Sequence, residues 1–131
     1  SNGIKEVGIT NRTRSKAQII SENLGAKVIV VDWRSAPEIV KNADLIINAT
    51  SMGMVGQPDF SQPISRAKKT ALVVDIVYNP MITDLIKEAK NLNLKTVGGI
   101  GMLINQAVPA FEHWFQKTPV IDDEIRRFII E

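Results

Sequence analysis

Hydrophobic positions in this chain alternate between short continuous runs and longer stretches in which apolar residues recur every three to four places. Lys5 to Thr10 reads as a strand ending at Asn11. Arg14 to Leu24 reads as a helix with Ala17, Ile20 and Leu24 inward and Gly25 as its carboxyl cap. Lys27 to Val31 is a second strand, and a short helix from Pro37 to Asn42 leads to the apolar run Asp44 to Asn48. A loop rich in glycine and proline, Thr50 to Pro58, separates that run from another, Ala71 to Ile76. Ile82, Leu85, Ile86, Ala89 and Leu92 then fall at helical spacing, followed by a strand at Lys95 to Val97 and a Gly98-Gly99 turn. Two helices close the chain. One spans about Met102 to Gln116, with Leu103, Ala107, Ala110, Phe111 and Trp114 as a core stripe and Pro109 marking a kink or a later start. The other runs from about Asp122 to Ile130, with Ile125, Phe128 and Ile129 on one side.

Strands that are apolar on both faces and separated by helices imply a parallel sheet covered by helices. The expected class is therefore α/β, a Rossmann-like doubly wound parallel sheet, whose ligands lie beyond the carboxyl ends of the strands. At 131 residues the chain fits one domain. Its 16 basic and 14 acidic residues are interspersed, so no broad basic face for a nucleic acid is indicated and any anion site must be local. The sequence has no cysteine and a single histidine, His113, which leaves little material for thiol or metal chemistry. No apolar run approaches the ~18 residues of a membrane span, and a soluble cytoplasmic protein is the expectation.

Four clusters stand at strand ends. In the first, Asn11-Arg12-Thr13-Arg14-Ser15-Lys16, three cations crowd the start of a helix, where the dipole favours anions. Dinucleotide folds that prefer NAD place an acidic residue at this point for the ribose 2′-hydroxyl, and none is present. A 2′-phosphate would relieve the crowding, gripped by Arg12 and Arg14 and by the Thr13 hydroxyl with free helix amides, which favours NADP. The alternative is that Thr13 caps the helix and the cations are merely solvated.

The second cluster, Asn48-Ala49-Thr50-Ser51-Met52-Gly53-Met54, offers small residues for a close backbone approach and two hydrogen-bonding side chains, or is only a tight turn. The third, Asp75-Ile76-Val77-Tyr78-Asn79-Pro80, carries an amphipathic tyrosine that lines a pocket or packs. In the fourth, Gly98 to Ala107, glycines permit close approach and Met102 and Gln106 share a helix face. On spacing alone Met102 reads as core and Gln106 as an ordinary exposed amide. Lys95 and Asp75, near strand ends, read as unpaired surface charges.

Taken in order and at these intervals, the clusters resemble the carboxyl-terminal half of shikimate dehydrogenases: N-R-T, N-A-T-x-x-G-M, D-x-V-Y-x-P-x-x-T-x-L and G-x-x-M-L-x-x-Q-A-x-x-x-F-x-x-W, over about Lys5 to Trp114. The resemblance implies NADP as cofactor and the interconversion of 3-dehydroshikimate and shikimate. It implies that Asn11, Arg12 and Thr13 face the adenosine 2′-phosphate with help from Arg14 or Lys16, and that Asn48, Thr50 and Met54 line the dinucleotide cleft. Gly99 would approach the nicotinamide through its carbonyl and Met102 would pack on the ring, while Tyr78 and Gln106 would face the hydroxy acid. A quinate/shikimate dehydrogenase using NAD, or a non-catalytic nucleotide-binding or interaction module, are the competing readings.

The family's glycine-rich diphosphate loop would stand about twenty residues before N-R-T, and only ten residues precede Asn11. The family's Lys and Asp pair for proton transfer lies in a substrate domain that has no counterpart in these motifs. The expectation is therefore a partial domain over 1–131 that lacks the first strand and the glycine-rich loop, has no catalytic residue of its own and is inactive alone. Its last segment, 119–131, would pack on the substrate domain. Because that first strand is central in the order 3-2-1-4-5-6, its loss would expose sheet edges, so self-association, a retained amino-terminal fragment or a rearranged sheet is expected rather than two sheet halves apart. The start, Ser1-Asn2-Gly3, reads either as a cloning remnant or as the end of a preceding helix.

Overall fold

The computed structural model describes residues 3–130, with the side chains of Ile129 and Ile130 outside that description, so the reading of Ser1-Asn2 and the inward face assigned to Ile129 fall outside the described residues. Contacts cluster into two compact units, Ser1–Ala43 with Gln62–Lys68 and Asp44–Ser61 with Lys69–Glu131. The five strands accordingly form two sheets, of two and three strands, and every ladder is parallel. Of the three outcomes expected for a sheet without its central strand, a rearrangement that closes the gap does not form among the described residues. Among the described residues no helix is long and apolar enough to cross a membrane.

In the first unit β1 (Val7–Ile9) pairs with β2 (Val28–Val30), Gly8 opposite Ile29, and α1 (Arg14–Leu24) connects them. Gly25 closes α1 in a conformation with φ 88°, its N–H donating to Ser21 O at 2.9 Å. The Ser21 hydroxyl in turn donates to Val28 O at 2.7 Å and fastens the helix to the strand it precedes. Only Ala17 of the expected inward face is buried, while Ile20 and Leu24 are exposed. With two strands of three residues each, the sheet offers the helix one small contact rather than a broad apolar floor. A 3-10 turn (Trp33–Ser35), capped by the Asp32 side chain, leads into α2 (Ala36–Val40). Glu38 on α2 bonds Lys41 at 3.3 Å and pairs with Arg66. The Lys41 hydrogen bond, and then the Arg66 charge, hold its carboxyl below the ordinary range.

In the second unit β3 (Leu45–Asn48), β4 (Leu72–Asp75) and β5 (Lys95–Val97) lie in that order. Their connections are a long irregular crossover over 49–71, which leaves the unit after Ser61 and resumes it at Lys69, and the helix α3 (Asp84–Asn91). Val73, Leu85, Ile86, Ala89, Leu94 and Ile104 form the core. Helix α3 starts at Asp84, two residues later than its first apolar position, because Thr83 is the cap, accepting from Ile86 N at 3.3 Å. Ile82 therefore lies outside the helix and is exposed.

Two further expectations fail here. Strand β3 is not covered on both faces: Leu45 and Ile47 are 51% and 53% exposed, since this edge strand has β4 as its only neighbour. The other concerns α4 (Gly99–Phe115), which begins three residues before Met102 and runs through Pro109 without a later start. Pro109 lies inside the helix and, lacking an N–H, cannot supply its ladder bond. Of the expected stripe, Leu103 is half-buried, Ala107, Ala110 and Phe111 are exposed and Trp114 is 74% exposed; Ile104 is the side chain that α4 buries. The last helix, α5 (Asp123–Ile130), follows with Phe128 exposed.

Gly99 fixes where α4 begins. A Cβ at this position would stand 2.3 Å from Ile76 O and 2.6 Å from Val77 O, backbone atoms that cannot yield without moving β4. A Cβ at Gly101, two residues along the same helix, would meet nothing within 4 Å. The two substitutions should therefore have opposite signs in urea unfolding: Gly99→Ala lowers stability by about 3 kcal/mol, whereas Gly101→Ala raises it by about 0.5–1 kcal/mol through helix propensity.

Candidate functional site

Each of the four clusters follows the carboxyl end of a parallel strand, β1, β3, β4 and β5 in turn, the position at which parallel α/β sheets bind ligands. The first belongs to the first unit and the other three to the second.

After β1, the half-buried Asn11 accepts through Oδ1 from Thr13 N at 2.8 Å, a two-residue loop closure that turns the chain into α1. Thr13 occupies the cap position with extended φ and ψ, yet its hydroxyl makes no capping bond. Thr13 is thus the helix cap by position and backbone, without a capping bond from its side chain. Thr10, the residue before the loop, has a buried Oγ1 without a hydrogen-bond partner, which spacing arguments had not singled out. The first turn of α1 contains no acidic residue. Arg14 lies 3.6 Å from Asp32 in an exposed pair, Arg12 makes no ion pair among the described residues, and Lys16 is exposed. Lys16 N donates to Thr13 O at 3.0 Å, which leaves the Thr13 hydroxyl, the Arg12 guanidinium and the amides of Arg14 and Ser15 as donors of this segment. That donor set fits an oxyanion, and a phosphate in particular.

In the second unit the ends of β3 and β4 meet in register, Asn48 opposite Asp75, and both side chains are buried. Asn48 Nδ2 donates to Asp75 Oδ1 at 3.0 Å and to Met52 O at 3.1 Å. Its Oδ1 accepts from Thr50 N at 3.1 Å and from Thr50 Oγ1 at 2.7 Å. Two donors and two acceptor sites exhaust a carboxamide, so Asn48 shapes the loop and has nothing left to offer a ligand by its side chain. The Thr50 hydroxyl is likewise engaged, accepting from Met52 N at 3.1 Å. Asp75 is 0% exposed, not the surface charge expected of it, and it accepts from Val77 N at 3.0 Å and Thr83 Oγ1 at 2.6 Å as well as from Asn48. The signal was present in parity, since Asp75 shares its strand face with the buried Ala71, Val73 and Val77. Lys95 is exposed at the start of β5 and does not pair with it.

Around this knot the remaining predicted contacts keep free surface. Tyr78 is exposed after the Val77 turn, Met54 is half-buried, and Met102 and Gln106 are both exposed on α4 one turn apart. Gly99 is buried against the backbone of Ile76 and Val77, just past β4, so its lack of a side chain serves internal packing before any ligand. A cavity of about 330 Å³ opens between Met81, Ile82, Ile86, Lys90, Thr96, Gly98, Ile100 and Gly101, and none of the twelve predicted contact residues lines it.

Comparison with known proteins gives these features a context. The profile of the shikimate / quinate 5-dehydrogenase family matches residues 1–102, and that of the shikimate 5'-dehydrogenase C-terminal domain matches residues 99–122. The shikimate dehydrogenase (NADP(+)) of Paracoccus denitrificans is 42% identical over 128 residues, 98% of this chain and 45% of that protein. Among solved structures, the quinate dehydrogenase of Corynebacterium glutamicum in complex with NAD superposes with a TM-score of 0.80 at 32% identity, over 90% of this chain and 44% of that one. The shikimate 5-dehydrogenase of Thermus thermophilus, in complex with NADP(H) and shikimate, gives 0.73 at 30% identity, over 88% and 42%. The chain spans less than half the length of the curated relatives it matches. Strand-end clusters, parallel topology and these matches agree, and the chain belongs to the shikimate / quinate 5-dehydrogenase family.

Proposed function

We propose that this chain forms the nucleotide-binding part of an NADP-dependent oxidoreductase that interconverts 3-dehydroshikimate and shikimate. The observation that carries the cofactor choice is the start of α1, where the Thr13 hydroxyl makes no capping bond and the Arg12 guanidinium makes no ion pair. Asn11 orients the loop, Thr13 and the helix amides meet the 2′-phosphate, and Arg12 supplies the forked charge with Arg14 and Lys16 beside it. NADPH would supply a hydride to the substrate carbonyl. Met102 and the Gly99 backbone line the nicotinamide side, the loop with Asn48, Thr50 and Met54 lines the dinucleotide cleft, and Tyr78 and Gln106 hydrogen-bond the hydroxy acid. Asp75 is committed to internal bonds and Lys95 does not approach it, so this chain alone binds without turnover.

A second reading, NAD with quinate or shikimate, is favoured by the Arg14–Asp32 pair, which already engages one of the cations. Calorimetric titration with NADPH, NADH and adenosine 2′,5′-bisphosphate separates the two. The bisphosphate and NADPH should bind at least about tenfold more tightly than NADH, and Arg12→Ala should remove that preference, at about 1.5–3 kcal/mol for a lost charged hydrogen bond. Equal affinity for NADH and NADPH would leave the NAD reading standing.

The exposed Leu45 and Ile47 on an edge strand with one neighbour further support association, with a second copy or with an amino-terminal fragment supplied in trans. Sedimentation velocity should show species above 14.5 kDa that return to that mass in Ile47→Lys, and a wild-type monomer across concentrations would refute association with a second copy.

A further inference from the structure

Asp75 occupies the last position of β4 and belongs to none of the contacts proposed above. It is nonetheless the point at which three segments meet. Through Asn48, its Oδ1 reaches the loop after β3, where Asn48 holds Thr50 and Met52 O. The same oxygen accepts from Val77 N, one residue before Tyr78. Its other oxygen accepts from Thr83, the cap of α3. The two loops touch once more through a backbone bond, Val55 N to Asn79 O at 3.0 Å, which no side-chain substitution removes. A loosened Asp75 would therefore shift the loops against each other rather than separate them.

We propose that Asp75 is a positioning residue that locks the Thr50–Met54 loop and the Val77–Pro80 loop into one geometry, so that a displacement in the first moves Tyr78 in the second. The coupling itself is a property of the hydrogen bonds, whereas its consequence for binding rests on the nucleotide reading given above. A carboxylate is suited to the task because it accepts all three bonds and needs no donor of its own.

Tyr78 is the single tyrosine of the sequence, so 3-fluorotyrosine gives one 19F resonance that reports its loop without any ligand. In the full chain, Asn48→Asp replaces the donor facing Asp75 by an acceptor while leaving the Asp75 to Val77 bond in place, and it should shift or split that resonance. Asn23→Asp, the same change at an exposed site in the other unit, should leave it unmoved. Exchanging the pair, Asn48→Asp with Asp75→Asn, restores one donor between the two positions and should recover most of the wild-type shift. With nucleotide, Asn48→Asp should weaken NADPH binding about tenfold, the scale of one net hydrogen bond to a charged group. If wild type fails to bind NADPH, the nucleotide reading falls while the 19F result still tests the coupling. Should Asn48→Asp not fold by circular dichroism, Thr50→Val, which removes one bond from the far side of Asn48, takes its place. An unmoved Tyr78 resonance in a folded variant, or unfolding of both variants, overturns the proposal.

Discussion

A carboxyl group and a carboxamide face each other at the ends of two adjacent parallel strands, shut away from water, and the second unit is organised by how they are satisfied. An unpaired polar group in such a place would cost about 1–3 kcal/mol, more if charged, so Asn48 and Asp75 have to find partners nearby. Each other supplies one. The rest come from loop amides, a loop carbonyl and two hydroxyls, which means that the paths of the chain after β3 and after β4 are dictated by what these two side chains require. Thr83 meets the same demand and caps α3 with the lone pair that remains. Gly99 completes the arrangement from the other side, since only a residue without a side chain lets α4 start against the carbonyls that follow Asp75.

The same demand buries polar side chains at the strand ends while apolar side chains of the unit are left outside. Leu45 and Ile47 alternate with Asn48 along β3, so the register that buries the asparagine presents one of the strand's faces outward. Trp114, Phe115 and Phe128 are exposed on α4 and α5 for a related reason: three short strands offer one helical layer of cover, and Ile104 already uses it.

Strand and helix order was legible because parallel strands are short apolar runs and Gly25, Gly98 and Asn48 punctuate them. What the pattern could not give was depth. Periodicity identifies the side of α1 on which Ile20 and Leu24 lie, and the side of α4 with Phe111 and Trp114, but not how much sheet stands beneath. Helix starts were misplaced for local reasons, Thr83 taking the cap after Ile82 and Gly98 taking it before Met102. In the candidate site, Arg12, Tyr78 and Gln106 were readable as exposed polar residues after strand ends. The internal role of Asn48 was not, because a carboxamide that lines a cleft and one that is used up by its own loop have the same sequence signature. Asp75 was legible by parity and obscured by the prior that acids lie at the surface.

The start of α1 poses a question of magnitude. Arg14 is held near Asp32, and a bond of that kind could be thought to keep it from an incoming phosphate. Both partners are 55% exposed at 3.6 Å, and pairs of this sort contribute about 0–1 kcal/mol. A forked bond to a phosphate, at a helix terminus whose dipole already favours an anion, is stronger than that. On the NADP reading proposed above, the Asp32 pair would therefore not hold Arg14 back from a phosphate. Arg12, exposed and without such a partner among the described residues, has no ion pair to give up.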